Sequence, residues 1–93
     1  MQSLEKALAN LTDEADIKRF LIDLCTPTEI RALTERWYVA QLLYEGTLSY
    51  RAINEKTGIS TTTIARVARF LKDEPHGGYR DTLATLKEKR SND

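Results

Sequence analysis

Five cations, Arg51, Lys56, Arg66, Arg69 and Lys72, face a single acid, Glu55, in the segment from Thr47 to Lys72. Elsewhere the balance reverses: residues 1–46 hold five basic and eight acidic side chains, and 73–93 hold four and five. The whole 93-residue chain is therefore neutral, with 14 of each sign, while its positive charge is local. Clustered cations of this kind neutralise phosphates and set register on a polyanion without reading its sequence. Interleaved with them are Ser60, Thr61, Thr62, Thr63 and Ala65, short side chains whose hydroxyls and methyls suit base edges and the thymine methyl. This is binding chemistry. For bond-making chemistry the chain offers little: one histidine, His76, beside Gly77 and Gly78, and one cysteine, Cys25, among apolar neighbours. No metal-ligand set and no Ser/His/Asp arrangement accompanies them, so neither an enzyme nor a metal site is expected, and no catalytic residue is assigned.

Such residues need a scaffold that presents them outward. Ser49 is placed to cap a short helix carrying Arg51, Ala52, Ile53 and Lys56 and ended by Gly58, and Ser60 to open a second. In the second helix Ile64, Val67, Ala68 and Leu71 recur at spacings of three, one and three, which turns them inward. Thr61, Thr62, Ala65, Arg66, Arg69 and Lys72 then face outward. A three-residue turn, Thr57, Gly58 and Ile59, joins the two, which is the requirement of a helix-turn-helix. Asn54, four residues before Gly58, either faces the nucleic acid or caps that turn. The expected DNA-facing set is Arg51, Asn54, Lys56, Ser60, Thr61, Thr62, Thr63, Ala65, Arg66, Arg69 and Lys72.

The remaining sequence also reads as helix, with no repeat and only two prolines. Ser3 precedes Leu4, Ala7, Leu8 and Leu11; Asp13, Glu14 and Asp16 open a second helix whose stripe is Ile17, Phe20, Leu21 and Leu24. The string TPTE supplies Thr26 as N-cap, Pro27 at the first helical position and Glu29 as capping-box partner. The helix it starts should reach Glu45 and stop at Gly46. That helix carries two apolar stripes, Ile30, Leu33, Trp37, Ala40 and Tyr44 on one side and Val39, Leu42 and Leu43 on another. A chain of this length buries only roughly 60–65% of its unfolded surface, so the first stripe is read as the core of a homodimer, a central helix wrapped by its own chain being the alternative. Pro75, Gly77 and Gly78 break the chain before a last helix with Tyr79, Leu83 and Leu86, and the polar end KEKRSND is expected to fray. The domain division is one unit: 1–46 and 78–90 as dimer core, 49–72 as DNA-reading head, 91–93 as frayed tail. With one cysteine, no leader-like start and no long apolar run, a cytoplasmic protein without a membrane partner is expected.

The stretch from Leu24 to Leu71 resembles the Trp repressor superfamily, in its YerC/YecD-type branch. The TP capping turn, the RAL step at Arg31–Leu33, Arg36, the EGTLS boundary at Glu45–Ser49 and ISTTTIAR at Ile59–Arg66 carry the resemblance, which covers half the chain. It implies an all-α fold of about six short helices forming an intertwined homodimer. It also implies a repressor that binds a near-palindromic operator in double-stranded DNA and resides at the bacterial nucleoid. The family's corepressor pocket maps onto Thr26, Arg36, Thr63, Arg66, Val67 and Phe70. Val67 and Phe70 stand where the namesake has a glycine beside the indole ring and a serine at the ligand's amino group, so tryptophan is not expected to bind. Another small corepressor is left open, and no cofactor is assigned. From a different class, the rival reading is a helical dimeric adaptor whose basic face holds an acidic protein.

Overall fold

The computed structural model describes residues 1–91, of Ser91 only the backbone. Six helices follow one another: α1 (Leu4–Ala9), α2 (Glu14–Leu24), α3 (Pro27–Glu45), α4 (Tyr50–Thr57), α5 (Thr61–Lys72) and α6 (Gly78–Ser91). Among the described residues there is no strand, and the all-α expectation holds. The chain divides into two compact units, Met1–Leu33 and Thr34–Asp93, with α3 contributing residues to both.

In the first unit each helix start is built from local hydrogen bonding. Ser3 Oγ accepts from the backbone N–H of Lys6, and Asp13 Oδ1 accepts from that of Ala15, satisfying donors that a helix N-terminus leaves orphaned. The capping box at α3 closes in both directions. The Thr26 backbone N–H donates to Glu29 Oε1 at 2.8 Å, and the Glu29 N–H donates to Thr26 Oγ1 at 3.1 Å. The Thr26 backbone N–H, followed by its side chain, holds the Glu29 carboxyl below its ordinary value, because both bonds favour the charged form. Leu4, Leu8, Ile22, Leu24 and Leu33 are exposed, and no residue of this unit is buried.

The second unit owns the core. Val39, Ala40, Leu42 and Leu43 of α3 join Ile53 of α4, Ile59 of the turn, Ile64, Val67, Ala68 and Leu71 of α5, and Leu83 of α6. Trp37, Leu48 and Tyr79 pack on its edge. The two stripes read on α3 thus separate: Val39, Leu42 and Leu43 are buried within the chain, while Leu33 and Tyr44 stay 46% and 38% exposed. Ile30 and Trp37 are half-buried. Ala40 departs from its own stripe, being fully buried in the core of its unit.

Gly46 ends α3 with φ +74°, as its position implied. The last helix differs from expectation. It continues through Lys87–Arg90 to Ser91 instead of fraying, with Lys89 and Arg90 in its final turn, where cations complement the helix dipole. The rest of the expected tail, Asn92 and Asp93, lies outside the described residues.

Candidate nucleic-acid interface

The interface is built from α4, α5 and the residues between them, all within the second unit. Thr57 belongs to α4, so the connection is Gly58, Ile59 and Ser60, one residue later than the sequence reading placed it. The reason is local: the Thr57 hydroxyl donates to the Ile53 carbonyl at 2.7 Å, holding this residue in the helix, and accepts from the Ile59 N–H at 3.0 Å. Gly58 adopts φ +76° and donates its N–H to the Asn54 carbonyl at 2.8 Å. A Cβ at Gly58 would meet nothing within 4 Å, so glycine is required there for the left-handed backbone and not for room. Asn54 Nδ2 donates to the Ile59 carbonyl at 2.8 Å, which gives this half-buried amide the turn-capping role of the two read from sequence. Ile59 is buried beneath the turn and pins it to the core.

Ser60 then caps α5, accepting from the Thr63 N–H at 3.2 Å and donating its hydroxyl to Thr63 Oγ1 at 3.0 Å. The inward set read from spacing, Ile64, Val67, Ala68 and Leu71, is buried without exception. The outward set, Thr61, Thr62, Ala65, Arg66, Arg69 and Lys72, is exposed without exception. Arg51 and Lys56 are exposed on α4, Arg51 in an i,i+4 pair with Glu55 at 3.1 Å. Thr63 is half-buried and, with Ser60, is already hydrogen-bonded within the helix start.

Each cation on the outer face of α5 lies over an aromatic ring. The Arg66 and Arg69 guanidinium carbons stand 4.6 and 4.9 Å from the Phe70 ring centroid, and Lys72 Nζ lies 5.7 Å from that of Tyr50. Arg69 also reaches Glu74 at 3.4 Å. Sequence reasoning missed Tyr50 and Glu74 as partners of the reading face. The Arg66–Phe70 pair has i,i+4 spacing and was legible as a helix-surface neighbour; Tyr50 and Lys72 lie on different helices, and no periodicity connects them.

Six residues are mapped onto a corepressor pocket by the family resemblance. Thr26 belongs to the first unit and the other five to the second. Val67 is 1% exposed and committed to the core, while Phe70 carries two guanidiniums. Arg36 is half-buried on α3. An apolar hollow of about 470 Å³ does open beside Phe70, but its walls are Trp37, His76, Gly78, Tyr79 and Thr82, and Phe70 is the one mapped residue that lines it. Among the described residues no group of His, Cys, Asp or Glu is arranged to hold a metal ion.

The chain is 39% identical over 88 residues to the uncharacterized protein YerC of Bacillus subtilis, covering 95% of this chain and 83% of that one. It is 31% identical over 87 residues to a Trp operon repressor homolog of Vibrio campbellii, covering 94% and 86%. No solved structure matches significantly. The family described as Trp repressor protein matches residues 1–87, nearly the whole chain, and the protein belongs to that family.

Proposed function

We propose that this protein is a sequence-specific transcriptional regulator, by default a repressor, that binds a near-palindromic site in duplex DNA as a homodimer. The observation that carries the reading is the outer face of α5. Short hydroxyl side chains at its start and three cations further along are all exposed on a helix whose opposite face is wholly buried. Thr61, Thr62 and Ala65 are short enough to let the helix enter a major groove, and Arg66 is assigned to a base edge. Arg51, Lys56, Arg69 and Lys72 are assigned to phosphates. Ser60, Thr63 and Asn54 act behind this surface by fixing the start of α5 and the turn.

The homodimer is supported by the apolar surface that the isolated chain leaves: Leu33 and Tyr44 exposed and Ile30 and Trp37 half-buried along one side of α3, with Leu4, Leu8, Ile22 and Leu24 of α1 and α2 exposed. Two symmetry-related heads would meet successive major grooves about 34–36 Å apart. Tryptophan is not the effector in this reading. Val67 and Phe70 remove volume and a polar partner from a site that must desolvate a charged amino acid. Among the described residues no helix is long and apolar enough to cross a membrane.

Selection of bound duplexes from a random pool, followed by fluorescence anisotropy, tests the reading. Affinity for the selected duplex should fall by about two or more orders of magnitude between 50 and 200 mM salt, as several released counterions require. Arg66→Ala or Thr62→Ala should relax preference at one base pair by about 1–3 kcal/mol, whereas Lys72→Ala should weaken every duplex alike. Failure to bind any duplex in dilute buffer, with retention of an acidic protein instead, would replace DNA with the adaptor role.

A further inference from the structure

Phe70 is the residue whose placement the DNA-reading role does not by itself explain. It sits on α5 one turn after Arg66 and next to Arg69, half-buried, and it contributes nothing to the fully buried core. Its ring instead receives both guanidiniums, at 4.6 and 4.9 Å from the centroid. Two like charges gathered on one ring repel each other, and a cation over an aromatic face is attracted by the ring quadrupole without being neutralised. A carboxylate in the same place would hold the arginines equally well but would cancel their charge and repel an incoming phosphate. Arg51, paired with Glu55 on the neighbouring helix, shows that arrangement, and Arg69 itself keeps part of it through Glu74 at 3.4 Å, which leaves Arg66 as the cation held by the ring alone.

We infer that Phe70 is a positioning residue for DNA binding: an uncharged platform that holds Arg66 and Arg69 extended and close together before any nucleic acid arrives, so that neighbouring phosphates or a base edge meet them preformed. Long cationic side chains otherwise lose rotamer freedom on binding, and a platform removes part of that loss in advance. Tyr50 does the same for Lys72 with a looser contact of 5.7 Å. The inference rests on the proposed DNA-binding role, and it assigns a binding task to a side chain that need touch no nucleotide.

The test is a double-mutant cycle read by anisotropy on the selected duplex at fixed salt. Phe70→Leu keeps bulk and removes the π face; it should weaken binding roughly five- to tenfold with little change in melting temperature. Phe70→Tyr should restore most of that loss. In an Arg66→Gln background Phe70→Leu should cost clearly less, because one of the two side chains it organises is gone. Equal losses in both backgrounds, or full affinity for Phe70→Leu, overturn the inference while leaving the DNA-binding reading intact. If the unmodified protein binds no duplex, the reading beneath it falls first.

Discussion

The two units of this protein solve the burial problem differently. Residues from Thr34 onward supply every buried side chain among those described, drawn from four helices and one turn, whereas Met1–Leu33 bury none. Yet the first unit is not polar: Ile22 is 56% exposed, and Leu4, Leu8, Leu24 and Leu33 are exposed beside it. Both units cap their helices, but among the described residues only the second packs them on a buried core. In the proposed homodimer these apolar faces are what the second copy would cover. The second unit, by contrast, holds the reading face on a core internal to one chain.

The sharpest way to break this contrast is to empty the core. Ile64→Ala, at a fully buried position, should destabilise the second unit by about 2–5 kcal/mol in denaturant titration and abolish DNA binding with it. If stability is unchanged, the core has been misassigned. A smaller effect is expected from Leu33→Asp. It should leave the second unit's unfolding nearly untouched but weaken self-association by about 3 kcal/mol across two copies, roughly a hundredfold, in sedimentation equilibrium. Unaltered association would remove α3's exposed side from the interface.

Next in size is the capping box. Thr26→Ala should cost about 1 kcal/mol. The Glu29 half of the box is acid-sensitive, and its sign is fixed by the lowered carboxyl: its stabilisation is complete above the ordinary glutamate range and disappears as pH falls through the depressed folded value. Glu29→Gln should flatten that acid limb of the stability curve. The smallest effect is expected from Glu55→Gln, which frees Arg51. Because the pair is exposed, stability should move by less than about 0.5 kcal/mol, while duplex affinity at low salt should rise roughly two- to threefold. A fall in affinity would mean that the pair orients Arg51 usefully.

Much of this was readable in advance because the helices are set by local rules. Ser3, Thr26 with Glu29, Ser49 and Ser60 each cap the helix that their position announces, and Gly46 and Gly58 each take the left-handed conformation, whereas Asp13, read as a first-turn acid, is the N-cap of α2. Spacing alone separated the inward from the outward face of α5. Spacing failed where the deciding contact was not periodic. Ala40 shares the phase of the exposed stripe yet is covered by its own unit, and Lys72 finds Tyr50 across two helices. Thr57 was assigned to the turn because a hydroxyl favours turns, but here its hydroxyl bonds back to Ile53 and lengthens α4. The polar end was read as frayed from its composition, though Lys89 and Arg90 suit a helix C-terminus.

The turn around Gly58 has a consequence for how such a protein changes over generations. Its polar groups bond among Ile53, Asn54, Thr57, Gly58 and Ile59, none of which belongs to the outer face of α5. Thr61, Thr62 and Ala65 therefore carry almost no structural duty. In the proposed reading, drift at these three sites would retarget the protein to new sequences while the scaffold that displays them stays as it was.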